Sequence, residues 1–402
     1  MKHRATVHYL SVVGPAVVCA VAGALLGWGF GNPVTGAVAG LAAGAAVTVF
    51  YLILISIGRV PAESATPELS QPDAEPRNHV ICIDGTWNHP EVPTNVRKFF
   101  DYVDVDADGK QQIARYYSGV GARENKGVAL RVLKKNYSGL LFGGATGYGT
   151  EAILRQAYFD FVQEYRRGDR LFIVGFSRGA ATARLLANMI SSTHGLPASV
   201  EIQHLKLFIE KDVVVDLDIK VPCKWGVPEA EFLGVWDTVA AFGNPWNRVD
   251  LFKDLTLAPG IQKAYHLVAI DERRRTFDVT LLDPDERVEQ IWFAGAHANV
   301  GGGLEEENSG LSDIALRFMI NRAREHGLRF KKEAFDLRGD AGGTMWQAGR
   351  FWRWKIERRL GGDTRQLPRI HKSVFQRMES VSNYEPANVK ELGNVFQRDE
   401  RD

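Results

Sequence analysis

The sequence predicts an α/β fold around a mostly parallel sheet, with a helical hairpin in front of it. Three observations carry that expectation. Beyond residue 79, apolar runs such as Val80-Ile81-Cys82-Ile83 and Leu171-Phe172-Ile173-Val174 show no polar alternation, as befits strands buried on both faces of a parallel sheet. Between these two runs, residues 151–166 read as an amphipathic helix. Ile153, Leu154, Ala157, Phe161, Val162 and Tyr165 lie on its apolar side, and Gly168-Asp169 ends it. Ahead of both, the first 58 residues have a wholly different composition.

Taken in order, residues 9–30 and 34–57 carry no charged side chain. Each stretch has the roughly 20 residues needed to cross a bilayer as a helix. Gly31-Asn32-Pro33 forms the turn between them, so 1–59 is expected to be a transmembrane hairpin. Gly23 and Gly27, and Gly36, Gly40 and Gly44, recur at intervals of four and allow close backbone approach. That spacing suits packing of the two helices on each other; self-association into an oligomer or pore is the alternative. Lys2 and Arg4 before the first span, and Arg59 after the second, put both ends on the cytoplasmic side.

The next segment, 60–78, is a linker rich in Pro, Ser, Ala and Glu, with prolines at 61, 67, 72 and 76. A globular domain is expected over 79–390, followed by a polar tail over 391–402. Further strands are predicted at 232–236, 267–270 and 290–294.

Composition narrows the function classes. The chain has 402 residues, with 49 basic against 48 acidic residues and a net charge of +1. That balance argues against a nucleic-acid partner. Cys19, Cys82 and Cys223 are too few and too scattered for a disulfide framework or a zinc site, and none sits in a motif that activates a thiolate.

The strongest motif is the run 168–184, GDRLFIVGFSRGAATAR. A strand ends, a serine flanked by Gly175 and Gly179 follows, and a helix rich in small residues begins. This is the arrangement of a nucleophile elbow, which makes Ser177 the candidate nucleophile and the expected architecture α/β-hydrolase-like. The backbone N–H of Arg178, at the start of that helix, is a candidate oxyanion donor.

A serine nucleophile needs a base and an orienting acid, in chain order serine, acid, histidine for this architecture. Asp237 follows the strand ending at Trp236. His297 follows the strand ending at Ala294 and precedes Asn299 and Gly301-Gly302-Gly303. His266 and His371 compete for the base, and Asp271 and Asp313 for the acid; Asp313 also suits the cap of a following helix. The loop after the first strand, Asp84-Gly85-Thr86-Trp87-Asn88, offers the N–H of Gly85 or Thr86 as second oxyanion donor. Asp84 alone lacks companions at metal-ligand spacing, so neither a metal nor a cofactor is expected.

Late in the chain, 346–372 sets Trp346, Phe351, Trp352 and Trp354 among Arg350, Arg353, Lys355, Arg358 and Arg359. Two readings stand: an interface with an anionic bilayer, or an amphipathic helix packed on the core with its charges solvated.

Several longer segments resemble a family of α/β-hydrolases that includes phospholipase effectors of bacterial type VI secretion systems. They are ICIDGTWN (81–88), TNVRKFF (94–100), YYSGVGA (116–122), GGATGYGTEAILRQAY (143–158), GDRLFIVGFSRGAATARLLANMI (168–190), FLGVWDTVAAFG (232–243), HLVAIDERRRTF (266–277), IWFAGAHANVGGG (291–303) and GLSDIALRFMI (310–320). IHKSVFQR (370–377) and NYEPANV (383–389) extend the likeness. The resemblance implies a serine esterase using Ser177, Asp237 and His297 on phospholipids or other acyl esters. It also implies a bacterial setting, where the hairpin would lie in the inner membrane with the catalytic domain on the cytoplasmic side. One departure is visible: the family loop generally reads His-x-Asp-Val-Gly-Gly-Gly, and Asn299 stands at the aspartate position. The hairpin lies outside the resemblance. Alternative expectations are an anchored esterase or thioesterase for soluble substrates, and a membrane scaffold or toxin acting through the hairpin.

Overall fold

The computed structural model describes residues 75–85, 92–105, 111–119, 148–192, 196–197, 223–225, 228–244, 247–250, 257–346, 357–360 and 367–402. The chain divides into units 1–71 and 72–402, and the described residues all belong to the second. The predicted hairpin, most of the linker, Thr86 to Asn88 and 347–356 lie outside the described residues. Among the described residues, no helix is long and apolar enough to cross a membrane.

The second unit is built on one eight-stranded sheet: β1 (Asn78–Ile83), β2 (Gln112–Tyr117), β3 (Arg170–Phe176), β4 (Ala230–Trp236), β5 (Ala264–Ala269), β6 (Val288–Phe293), β7 (Arg369–His371) and β8 (Gln397–Asp399). Its order is β8-β7-β6-β5-β4-β3-β1-β2, and every pairing is parallel. All strands predicted from apolar runs are present. One expectation fails: the polar tail supplies β8. Asp399 is buried there, held by Arg401, so even a polar segment can complete an edge when its charges are paired.

Helices α1 (Asn95–Tyr102), α2 (Tyr148–Glu164), α3 (Arg178–Ser192), α4 (His297–Gly301), α5 (Gly310–Glu325), α6 (Lys372–Ser380) and α7 (Ala387–Glu391) accompany the sheet. Alternate strand residues go to opposite faces. Val80, Cys82, Phe172, Val174, Phe232 and Trp236 pack with α1 and α5. Ile81, Ile83, Leu171, Ile173, Leu233 and Val235 pack with α2 and α3. Covering both faces explains why these strands read as unbroken apolar runs.

Chain order reverses at β1, which has β2 on one side and β3 on the other. A crevice at the carboxyl ends of the strands is expected at such a switch point. The loop after β1 and the elbow after β3 both lie there, and they touch. A Cβ placed on Gly179 would sit 2.3 Å from the Ile83 carbonyl oxygen and 2.4 Å from that of Asp84. On Gly175 it would sit 2.6 Å from the Gly179 carbonyl oxygen. Gly179→Ala is therefore expected to cost at least about 1–3 kcal/mol, because backbone rather than a pliable side chain must move. Chemical denaturation of the variant beside the parent checks this.

At the opposite edge, Asp169 accepts from the Arg77 guanidinium at 2.7 Å and contacts His79 Nε2 at 2.8 Å. Burial opposes its ionisation, but His79 and Arg77 hold its carboxyl well below the usual carboxylate range. This cluster joins the starts of β1 and β3 away from the crevice.

Candidate active site

Ser177 stands between β3 and α3 with φ of 58°, a left-handed conformation that costs a non-glycine residue energy. Its position is over-determined. Its N–H donates to the Trp236 carbonyl at 3.0 Å, and its carbonyl accepts from Ala181 and Val239. Ser177 is thus hydrogen-bonded to both flanks of Asp237. Asp237 also has a positive φ, 39°, and its N–H donates to the Leu267 carbonyl at 2.8 Å. Two neighbouring, strained, buried polar residues at strand ends make this the candidate site.

His297 opens α4. Its ring is held between Phe176, at 4.5 Å centroid to centroid, and Phe277, at 4.9 Å. Since Phe176 directly precedes Ser177, this contact brings the histidine to the elbow. A Cβ on Gly301 would lie 1.9 Å from the Phe176 ring, so the glycine lets the helix close on that ring. Gly302 and Gly303 follow at φ of 79° and 83°. His297 Nδ1 lies 2.6 Å from Asp237 Oδ2. Because the carboxylate can only accept, Nδ1 carries the proton and Nε2 is left as the basic nitrogen.

Asp237 is fully buried and receives three further hydrogen bonds. Oδ1 accepts from the Ala269 N–H at 2.9 Å and from Arg358 Nη1 at 2.5 Å, and Oδ2 accepts from Arg358 Nη2 at 3.1 Å. Burial alone would raise its pKa, but the Arg358 guanidinium and His297 hold the carboxyl well below its ordinary range. The sequence reading missed Arg358. It lies in the aromatic and cationic segment assigned either to a bilayer or to solvent, yet its side chain is 1% exposed and paired with the acid.

The competing residues have other duties. His266, within β5, is fully buried; its Nε2 accepts from the Thr238 N–H, and burial with nearby Arg184 pushes its pKa down to about 3. His371 stacks on Phe293 and caps α6. Asp271 accepts from the Gly295 N–H and from the Tyr384 hydroxyl, bracing the histidine loop from behind. Asp313 lies in the first turn of α5, bonded to Ser309 and Lys98.

Asp84 is buried and uses its oxygens on the Thr94 hydroxyl, the Tyr116 hydroxyl and the Gly85 N–H, each at 2.6–2.7 Å. It fastens the loop after β1 to the cap of α1 and to β2. The Gly85 N–H donates to Asp84 Oδ1, and Thr86, the other second-donor candidate, lies outside the described residues. Arg178 begins α3, as expected.

Asn299, the departure seen in the sequence, ties the histidine loop down. Its Oδ1 accepts from the N–H groups of Ala296 and Trp346, and its Nδ2 donates to the Thr344 carbonyl. An amide satisfies all three groups at once, whereas a carboxylate cannot donate to Thr344. The Trp346 ring in turn lies 4.7 Å from the Arg274 guanidinium, which stacks on Phe277 at 3.5 Å. Glu272 binds Arg274 and accepts from the His297 N–H at 3.2 Å. Asn299→Asp is expected to destabilise the fold by about 1–3 kcal/mol through the buried mismatch at Thr344. Thermal melts of parent and variant test it.

The model of the type VI secretion system phospholipase effector Tle1-like catalytic domain matches residues 77–210 and 222–322, more than half of the chain. The chain belongs to the Tle1-like catalytic-domain family. Ser177, Asp237 and His297 fall inside the matched residues, and Arg358 falls beyond them. An uncharacterized protein of Saccharomyces cerevisiae, YEL023C, is 26% identical over 236 residues, covering 52% of this chain and 33% of that relative. The chain therefore spans about a third of that relative's length. Two solved structures are also similar. An uncharacterized protein from Pseudomonas aeruginosa has a TM-score of 0.43 at 20% identity, covering 64% of this chain and 47% of that one. The Tle1 effector bound to the VgrG spike has a TM-score of 0.42 at 16% identity, covering 67% and 77%.

Proposed function

We propose that this Tle1-like chain is a serine hydrolase that cleaves acyl esters of phospholipids through an acyl-enzyme. The observation that carries the reading is the 2.6 Å contact from His297 Nδ1 to Asp237 Oδ2, beside a serine held at positive φ between two glycines. Family membership supports the lipid substrate class.

In this mechanism His297 Nε2 takes the proton from Ser177 Oγ as the oxygen attacks the ester carbonyl. The resulting imidazolium is stabilised by Asp237. The N–H of Arg178 and that of Gly85 or Thr86 receive the oxyanion, a contribution worth about 10²–10³ in rate per donor. Collapse of the tetrahedral adduct expels the alcohol, which takes the proton from His297. Water, deprotonated by the same nitrogen, then releases the fatty acid and restores Ser177. No metal or cofactor enters the scheme.

The predicted hairpin would hold this unit at a bilayer, with a lipid membrane as the source of substrate and the catalytic unit on the cytoplasmic side. Uncharged stretches long enough to span, and the positions of Lys2, Arg4 and Arg59, support that arrangement. The test is acyl release by the full chain, purified in detergent, from mixed phospholipid vesicles and from a short-chain ester, with Ser177→Ala alongside. Serine-dependent release from vesicles is the expected result. Turnover of the short ester alone would remove the phospholipase reading and leave an esterase.

A further inference from the structure

Arg358 has no part in the scheme above, yet it is bonded to the residue that orients the base. Its guanidinium spans both Asp237 oxygens and also donates to two carbonyls, Ala269 at 2.8 Å and Phe277 at 2.6 Å. Those carbonyls fix it in turn, since one lies at the end of β5 and the other belongs to the residue packed on His297. With Oδ1 engaged by Ala269 and Arg358, Oδ2 is the oxygen presented to the imidazole.

We propose that Arg358 is a positioning residue of this site, locking the Asp237 carboxylate toward His297 Nδ1 and offsetting its charge. The proposal depends on the reading of Ser177, His297 and Asp237 given above. A buried carboxylate with no counter-charge draws a proton onto a neighbouring imidazole, because an opposite charge nearby favours the charged form. A neighbouring guanidinium opposes that pull while leaving the hydrogen bond in place. The other charged or titratable groups around the pair act more weakly or are already paired. From the loop after β5, Glu272 accepts from the His297 N–H and is matched by Arg274, while Asp271 faces Gly295 and Tyr384. From β5, His266 accepts from the Thr238 N–H beside Asp237, and from α3, Arg184 acts on His266 and donates to the carbonyls of Thr280 and Leu281.

Charge and geometry separate experimentally. Lysine keeps the charge but lacks the planar fork that grips both carboxylate oxygens, and methionine supplies neither. The rate at which a fluorophosphonate labels the full-length protein would be followed from about pH 5 to 9 for the parent, Arg358→Lys, Arg358→Met and Ser177→Ala. In Arg358→Met the midpoint of the rise with pH is expected to move up, and the plateau to fall by about 10- to 100-fold. In Arg358→Lys the midpoint should stay with the parent while the plateau falls. A folded Arg358→Met with the parent's midpoint and plateau would overturn the proposal. Should that variant not fold, Arg358→Lys decides: a parental midpoint with a lowered plateau supports the proposal, and a fully parental profile overturns it. Labelling of Ser177→Ala at the parental rate would instead overturn the reading of Ser177 itself.

Discussion

Replacing Ser177 by alanine is expected to lower ester hydrolysis by at least about 10³-fold, the scale seen when a nucleophile is removed from an otherwise intact site. Stability should respond differently, because the backbone there stays at φ of 58° whatever short side chain it bears. Ser177→Ala keeps that strain and should melt close to the parent. Ser177→Gly removes the Cβ that makes the left-handed region costly, and should gain about 1 kcal/mol, or roughly 2 °C. An inactive variant more stable than the active protein would show that the elbow holds strain for the sake of the serine. Hydrolysis rates and thermal midpoints of the three proteins supply the comparison.

Asp237→Asn is expected to damage both activity and stability. Asparagine can accept at one position only, so it cannot serve His297 Nδ1, the Ala269 N–H and both Arg358 nitrogens that now surround the carboxylate. Loss of the required tautomer is worth on the order of 10⁴ in rate. Removing one partner of a buried ion pair leaves Arg358 uncompensated, at about 3–5 kcal/mol. His297→Ala provides the contrast, with a comparable rate loss and the Asp237–Arg358 pair left intact. Equal denaturation curves for Asp237→Asn and the parent would show that the pair is not the structural unit described.

The parts of this site legible in the sequence are those written locally. The elbow is a strand, a serine between glycines and a small-residue helix within 17 residues, and each piece follows from short-range sterics. Asp237 and His297 could be singled out because each follows an apolar strand, which delivers it to the carboxyl edge of a parallel sheet. Arg358 could not be found that way. Its partner lies 121 residues earlier, and a buried arginine in a run of cations and aromatics has the same local pattern as a solvated one. Asn299 was visible as a departure, but its bonds to Thr344 and Trp346 arise only when that segment folds back over the histidine loop. The edge strand β8 was hidden for a similar reason: its three polar residues pair with the open edge of β7, where Arg369 and Arg401 meet the carboxylates of Asp399 and Glu289.

In the proposed mechanism Ser177 forms the covalent intermediate. The most direct test of this is peptide mass mapping of the full-length protein after exposure to a fluorophosphonate, with phospholipid hydrolysis measured on the same sample. A single adduct on Ser177 is expected, accumulating as hydrolysis is lost and much reduced in His297→Ala. Complete loss of hydrolysis with the adduct on another residue, or full hydrolysis with Ser177 completely modified, would contradict it.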